Sequence, residues 1–164
     1  VSRAAERGDG WIAVDSEATA GAGEVKITHV RALDEDKQPA VTATAGDRLS
    51  IEMLVHSSRE IDNIIFGYTL KDRVGNGICG DNSLSLIGSQ YRLPPGKSHV
   101  SLTISWPDIQ PDEYLITLGI GQGSHPLNHV IQCWAHNVLL VKALGTGRVV
   151  HGIFTNPLLS CEMV

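Results

Sequence analysis

The chain has 164 residues, of which 42% are hydrophobic, so it is long enough for one domain with a sizeable core. Its formal net charge is −5, from 13 basic and 18 acidic side chains, and no stripe of Lys and Arg alternates with aromatic residues. A general nucleic-acid-binding surface is therefore excluded. No apolar run approaches the length that is needed to cross a membrane.

The three cysteines, Cys79, Cys133 and Cys161, are widely spaced and form no CxxC pair. This spacing excludes a zinc ribbon and a dithiol redox motif. Reduced thiols in the cytosol explain the pattern most simply, and a single disulfide is the alternative. The chain starts with Val-Ser-Arg rather than Met and shows no signal peptide, so we expect a fragment of a longer protein whose N-terminal partner is missing.

Residues 1–23 contain two glycine-rich stretches, and we predict a loosely ordered N-terminal lead there. The short apolar run between them, Trp11-Ile12-Ala13-Val14, is a candidate for the edge of a sheet. From residue 24 to residue 164, apolar and polar residues alternate in short segments, a pattern typical of half-buried β-strands. The predicted strands cover residues 24–33, 41–44, 48–56, 64–69, 78–79, 98–106, 114–121, 129–143 and 148–154, with a weak strand at residues 83–87. Most of the 17 glycines and 7 prolines fall between these segments, and no helical periodicity is present.

This pattern predicts an all-β fold, an immunoglobulin-like antiparallel β-sandwich over residues 24–164, in preference to a jelly roll. Tyr114 follows a turn at residues 111–113, the position of the corner tyrosine that ties a strand to its preceding loop in such sandwiches. The inter-sheet disulfide of antibody domains has no counterpart in this sequence.

The stretch from residue 63 to residue 80 is central to this arrangement. A β-branched and aromatic run is followed by the turn formers of residues 72–77 and by a short apolar piece, Ile78-Cys79. This order predicts a central strand, a tight reversal and a short partner strand. Gly67, in the middle of the central strand, leaves space where a ligand or another chain can approach the backbone.

Four features then occur in a recognisable order. They are the strand pair of residues 64–80, the turn Leu93-Pro94-Pro95-Gly96, the segment 110–115, and Trp134-Ala135-His136-Asn137 before an apolar strand. Together they resemble the C-terminal domain of the ATP-binding subunit of O-antigen exporters, the Wzt type of polysaccharide ABC transporter. The resemblance covers roughly residues 24–155, and Phe66-Gly67-Tyr68 with Gly75 and Ile78 is its most specific part.

This resemblance implies a β-sandwich behind a cytoplasmic nucleotide-binding domain, peripheral to the inner membrane through the transporter's membrane subunit. It implies recognition of the modified non-reducing end of a lipid-linked O-polysaccharide, which couples chain termination to export. It also implies a homodimer in which the last strand of each chain, residues 148–155, adds to its partner. The joint Gly145-Thr146-Gly147 fits such an exchange.

The sequence lacks the residue patterns of an enzyme, and we predict no catalysis, no metal and no cofactor. The ATP-binding motif GxxxxGK[ST] and the nucleophile motif GxSxG are both absent. His125 and His129 are four residues apart, but Pro126 lies between them, so no helix brings them to one face as a metal pair. The candidate carboxylates for sugar hydrolysis lie at turns, where solvated carboxylates are expected.

A sugar-binding surface needs an aromatic ring for the C–H face of the sugar and small neighbours around it. Alternation with a period of two points one set of side chains outward from three adjacent strands. The predicted carbohydrate-binding residues are Gly67, Thr69, Lys71, Thr117, Gly119, Trp134 and His136. The alternative is that Trp134 belongs to the core and that the small residues serve only packing, and a bulge near Asn137 would reverse the assignment.

Lys71, Arg73 and Arg92 are candidate cations for an acidic or phosphate-bearing glycan end, and a solvated turn charge is the alternative for each. Two other functions also remain open. One is a structural dimerisation domain of the transporter ATPase without ligand binding. The other is an immunoglobulin-like adhesin or enzyme accessory module of the periplasm.

Overall fold

The computed structural model describes residues 9–86, 90–125, 127–155 and 159–163, which form two β-sheets packed face to face. The strands are β1 (Ile12–Ala13), β2 (Thr19–Ala20), β3 (Val25–Leu33), β4 (Thr42–Thr44), β5 (Arg48–Ser57), β6 (Ile61–Lys71), β7 (Gly77–Asn82), β8 (Tyr91–Leu93), β9 (Gly96–Ser105), β10 (Glu113–His125) and β11 (Asn128–Leu144). The predicted all-β sandwich is confirmed. Across these residues, no helix is long and apolar enough to cross a lipid bilayer.

One sheet has four strands in the order β1-β3-β5-β9. The other has seven strands, in the order β2-β11-β10-β6-β7, with β4 beside β11 and β8 beside β6. The long neighbouring strands pair antiparallel, and the short β4 runs parallel to β11. Strand β9 therefore lies at an edge of the smaller sheet, while β10 lies inside the larger one.

The core lies between the two sheets and follows directly from the alternation in the sequence. Ile51 and Met53 of β5 face Ile116 and Leu118 of β10, and all four side chains have no solvent exposure. Burial of each side chain of this size contributes about 2 kcal/mol relative to leaving it in water. This apolar layer holds the two sheets together and leaves the opposite face of each sheet available for other contacts.

Tyr114 forms the predicted tyrosine corner. Its hydroxyl group donates a hydrogen bond to the backbone carbonyl of Gln110 at 2.7 Å, four residues upstream. The ring packs edge-on against Trp106 with 6.3 Å between ring centroids. Strand β10 is thereby tied to the loop before it, which fixes the start of a strand that continues under the candidate site.

The N-terminal segment 9–23 is attached to both sheets, in contrast to the loosely ordered lead that we expected. Strand β1 pairs with β3 in the smaller sheet, and β2 pairs with β11 in the larger one. Trp11 is buried, and the guanidinium of Arg31 lies 4.3 Å from the centroid of its ring. The rest of the predicted lead, residues 1–8, lies outside the described residues.

The C-terminal segment 148–155 forms no strand within a single chain, although its sequence alternates. Its regular contacts are an isolated bridge between Phe154 and Ile109 and backbone hydrogen bonds to the 108–110 turn. Exchange of this segment involves a second chain, so it stays a prediction. The three cysteines are unpaired in the structure, which leaves no disulfide among them.

Candidate functional site

The outer face of the seven-stranded sheet brings the predicted sugar-binding residues together. In the strand register, Gly119 of β10 lies between Gly67 of β6 and Trp134 of β11. Thr69 and Thr117 form the next row of the same face. At the end of this face, the ring of His136 lies 6.0 Å from that of Trp134, and Lys71 is close enough to influence its ionisation.

A bulge in β11 decides which way Trp134 points. Ile116 pairs with Leu139 and Leu118 pairs with Ala135, so four residue steps on β11 span two steps on β10. Because the bulge adds an even number of residues, Ala135 and Leu139 both still face the core, and Trp134 stays on the outer face. The reversed assignment that we considered from the sequence therefore does not occur.

Thr117 holds this bulge in place. Asn137 adopts a positive φ of 53°, its backbone N–H donates to Thr117 Oγ1 at 3.1 Å, and Thr117 Oγ1 donates to Asn137 Oδ1 at 3.3 Å. Thr117 is only 1% exposed. It therefore supports the bulge and is covered by it, which differs from the open position that we expected.

We expect Thr117→Val to destabilise the domain by about 1 kcal/mol, because the backbone N–H of Asn137 in the bulge loses its acceptor. The measurement is the free energy of unfolding from urea denaturation. Thr103→Val on β9 is the matched control, since Thr103 is exposed, and its effect should be within about 0.5 kcal/mol. Equal values for the two variants would contradict the role of Thr117.

Trp134 lies directly against the backbone of Gly119. A Cβ atom at residue 119 would be only 3.0 Å from Cε3 and from Cζ3 of the indole. Only glycine leaves the ring room to lie this close to the sheet. Gly119 is accordingly buried, so the indole itself forms the surface at the place where the sequence predicted an open glycine.

A groove of about 490 Å³ runs beside this indole, and we call it the Trp134 groove. Five predicted residues line it: Gly67, Thr69, Thr117, Gly119 and Trp134. Lys71 and His136 do not line it and lie beyond its end. Its volume is within the range of known ligand sites, at the smaller end.

The residues that β7 and the start of β11 contribute to the groove were not predicted from the sequence. Asp81 and Asn82 come from β7, whose six residues carry only a weak alternating pattern. Ile131 and His129 come from β11, and His129 lies over Gly121, with Cδ2 only 2.8 Å from where a Cβ of that residue would be. A second register shift between β10 and β11 occurs between Ile120 and Gly121. It interrupts the alternation of inward and outward side chains at the start of β11, so the facing of these residues does not follow from the sequence pattern.

The polar atoms of the groove are partly fixed by neighbouring groups. Asp81 borders the groove through its backbone carbonyl, which lies 3.3 Å from where a Cβ of Gly67 would be. Its carboxylate lies on the inner face with its strand partner Tyr68 and accepts hydrogen bonds there from Asn82 N and from Ser85 Oγ, both at 2.8 Å. Asn82 Oδ1 accepts one from the backbone N–H of Leu84 at 3.0 Å, which sets the orientation of its amide. The hydroxyl of Thr69 makes no hydrogen bond to the residues that the structure describes. These groups can serve a ligand that carries hydroxyls.

Burial affects the ionisation of groups in and near the groove. It raises the pKa of the Tyr68 phenol, with smaller contributions from Cys79 and Asp81, and it raises the pKa of the Cys79 thiol. The pKa of His136 is lowered, first by burial and second by the positive charge of Lys71. The phenol, the thiol and this imidazole therefore favour their neutral forms near neutral pH.

We expect Lys71→Met to raise the pKa of His136, because it removes the neighbouring positive charge while burial still keeps that pKa below its usual value. The measurement is an NMR titration of the imidazole, with Lys142→Met at the far end of β11 as the control. Since the folded-state pKa is lowered, the stability contributed by neutral His136 is present above the unfolded-state pKa. It declines as the pH falls through the folded-state pKa. An unchanged titration in Lys71→Met would contradict this coupling.

The other predicted cations are engaged elsewhere on the surface. Arg73 Nε lies 3.1 Å from Asp112 Oδ1, and Arg92 Nε lies 2.6 Å from Asp62 Oδ1. Neither arginine lines the Trp134 groove. Within the described part of the chain, no group of three or more His, Cys, Asp or Glu side chains could hold a metal ion.

A comparison with protein families decides which family this sandwich represents. The model of the Wzt C-terminal domain matches residues 16–155, which is most of the chain. The chain belongs to the Wzt C-terminal domain family. The resemblance on which the sequence analysis relied is thereby confirmed.

Solved structures give the same result for the Wzt fold. The crystal structure of the C-terminal domain of wzt superposes with a TM-score of 0.76 and 16% sequence identity, over 88% of this chain and 87% of that one. A cellulose-active polysaccharide monooxygenase from M. thermophila reaches a TM-score of only 0.38 at 14% identity, over 68% and 56% of the two chains, which is too low to support an argument. No curated protein matches this Wzt-type sequence.

Proposed function

We propose that this domain recognises the modified non-reducing end of a lipid-linked O-antigen polysaccharide, without catalysis, and so couples chain termination to export by an ABC transporter. The observation that carries the proposal is the Trp134 groove, in which an indole lies against Gly119 beside polar groups of β6 and β7. Membership of the Wzt C-terminal domain family supports it.

The shape of the groove suits a sugar. The face of an indole packs well against the C–H groups of a pyranose ring, while the hydroxyls at the ring's edge need hydrogen-bonding partners close by. Here Thr69, Asn82 and the backbone carbonyl of Asp81 lie across the groove from Trp134. The groove lies on the outer face of the larger sheet, so a long chain could extend away from its bound end.

The remaining partners follow from the proposed role. In the full-length protein the domain would work with a nucleotide-binding domain of its own chain and with the membrane subunit of the transporter, on the cytoplasmic side of the inner membrane. Binding of a finished glycan end would then recruit the polymer to the transporter. The domain itself would contribute recognition only.

The test compares glycans that differ only in the terminal modification. Isothermal titration of the domain with the capped polysaccharide should give a Kd between about 1 mM and 1 μM, as expected for a shallow polar site. The uncapped polysaccharide of the same length should bind at least about tenfold more weakly, a difference of about 1.4 kcal/mol. Equal binding of both, or binding of neither, would refute the proposed function.

We further propose that two copies of the domain pair through exchange of residues 148–155. Val149, Ile153 and Phe154 are largely exposed apolar side chains in a segment that has no sheet partner of its own along most of its length. Edge strand β9 offers an unpaired side next to a groove of about 660 Å³ between the sheets. An alternating apolar segment added at such an edge would bury both surfaces.

Light scattering after size-exclusion chromatography tests the exchange. The chain of residues 1–164 should elute as a dimer, and a chain that ends at residue 147 should elute as a monomer. Phe154→Asp should weaken the dimer without removing the segment. If the monomeric variant still prefers capped glycan, recognition does not depend on dimerisation, which separates the proposed function from a purely structural role.

A further inference from the structure

We propose that the outer face of the four-stranded sheet is a docking surface for an acidic protein surface, one that presents Asp or Glu carboxylates. We call this surface the basic face, and its outward side chains come from β3, β5 and β9. It lies on the opposite side of the molecule from the Trp134 groove, so its role is independent of the proposed function.

The charge of the molecule is unevenly distributed between its two sheets. The strands of the four-stranded sheet contain four basic side chains and one acidic side chain, a net charge of +3, and these are Lys26, Arg31, Arg48, Lys97 and Glu52. The strands of the seven-stranded sheet contain three basic and three acidic side chains. The segments between strands hold the other 6 of the 13 basic and the other 14 of the 18 acidic residues. The basic face is therefore a cationic surface on an acidic protein.

Lys26, His56 and Lys97 form one row across the basic face. His56 is the register partner of Lys26 on one side and of Lys97 on the other. All three side chains are exposed, while Ile27 and Val55, the next residues along their strands, are buried in the core. Adjacent strands lie about 4.8 Å apart, so the backbone positions of this row span about 10 Å. The sheet places no acidic residue opposite either lysine.

The lysines of this row have no internal partner. Neither Lys26 nor Lys97 forms an ion pair with any residue that the structure describes. Glu52, the acidic residue in the strands of this sheet, already contacts Arg31 at 2.7 Å and His99 at 3.0 Å. A surface that keeps unpaired charges of one sign together attracts a partner of the opposite sign and speeds their encounter.

The composition of the basic face favours a protein partner over a bilayer or a small anion. Across the described residues, none of the largely exposed large apolar side chains lies on β3, β5 or β9, so the face has no anchor to insert among lipids. The lysine row lines neither of the two grooves, whereas sites for small ligands are concave. Ser50, Ser101 and Thr103 offer hydroxyls on the same face that can donate to carboxylates.

An NMR titration of the chain of residues 1–164 tests the docking surface. The probe is a peptide of five Glu-Gly repeats, and a peptide of five Gln-Gly repeats is the uncharged control. In about 50 mM salt, the acidic peptide should shift the backbone amide signals of Lys26, His56 and Lys97 with a Kd of about 1 mM or lower. In about 500 mM salt this Kd should rise at least about tenfold, because the charges on both partners are exposed and screened.

Two double variants separate local docking from the effect of net charge. Lys26→Gln/Lys97→Gln should raise the Kd of the acidic peptide at least about tenfold, because it removes both unpaired charges of the row. Lys71→Gln/Lys142→Gln is the matched control, since it removes the same charge from the larger sheet. It should leave the Kd within about twofold.

Four outcomes would overturn the proposal. They are shifts that map outside the basic face, equal weakening in the two double variants, equal shifts by the uncharged peptide, and no shift at about 5 mM acidic peptide. Tighter binding of phosphatidylglycerol vesicles or of inorganic pyrophosphate to the same signals would also overturn it, and would assign the face to a bilayer or to a small anion. Glycan binding is measured separately, so each of these results leaves the proposed function standing.

Discussion

Replacing Trp134 with alanine is expected to weaken binding of the capped glycan on the order of 10- to 100-fold, because a central aromatic side chain carries much of the energy of a small recognition site. The indole lies against Gly119 and lines the groove, so its removal takes away a surface on which a sugar ring would rest. The measurement is the Kd from isothermal titration, at a temperature at which both proteins are folded.

Leu140→Ala is the control for Trp134→Ala. Leu140 lies on the same strand and is 51% exposed, but it does not line the groove, so its loss should leave the Kd within about twofold. Gly119→Ala provides an independent test, because the added Cβ would be 3.0 Å from the indole and would push the ring off the sheet. Unchanged affinity in both Trp134→Ala and Gly119→Ala would reject this face as the binding site.

The second large effect is expected in the opposite sheet, where Arg31→Met should lower the free energy of unfolding by about 3 kcal/mol. Glu52 is only 8% exposed, and its Oε2 accepts hydrogen bonds from Arg31, with Nε and Nη2 both at 2.7 Å. Arg31 also covers the ring of Trp11 and donates to the backbone carbonyl of Asp9. Its removal leaves a nearly buried carboxylate with His99 as its remaining close partner, and it loosens the N-terminal segment.

Urea denaturation of the single and double variants separates the ion pair from packing. A buried charge without its partner lowers the free energy of unfolding more than a neutral side chain does at the same position. The double variant Arg31→Met/Glu52→Gln should therefore lose less free energy of unfolding than the sum of the losses in the two single variants. Arg59→Met is the control, since Arg59 pairs with Glu24 in an exposed position, and its removal should change the stability little. If Arg31→Met is no more destabilising than Arg59→Met, the ion pair between Arg31 and Glu52 does not stabilise the N-terminal segment 9–23.

The sandwich was predictable because alternation is a local property of each strand. In β5, every second residue of the predicted segment faces the core, and β10 follows the same rule through Ile116, Leu118 and Ile120. The tyrosine corner was predictable for a similar reason, since Tyr114 and the Gln110 carbonyl that it contacts are only four residues apart. Sequence reasoning works well where a contact and its cause lie close together in the chain.

The candidate site was predictable only in part. Gly67 and Thr69 were assigned correctly to the outer face because β6 and β10 pair without a shift over these residues. Asp81, Asn82 and His129 were missed, since their positions depend on register changes in β7 and β11 that no local pattern reveals. The arrangement of the indole over Gly119 likewise depends on the pairing of two strands and not on either strand alone.

The amino-acid sequence by itself determined the two-layer architecture, the inward set of apolar side chains and the family to which the domain belongs, because each of these follows from the order of residues along single strands. The tertiary structure alone decided that Trp134 stays outside the core, that Thr117 and Gly119 lie beneath other groups, and that β7 completes the groove. The physical reason is that a bulge that adds an odd number of residues turns every later side chain of the strand to the opposite face of the sheet, whereas an even number leaves the faces unchanged. That number is set when strands pair, through contacts such as the one between Thr117 and Asn137.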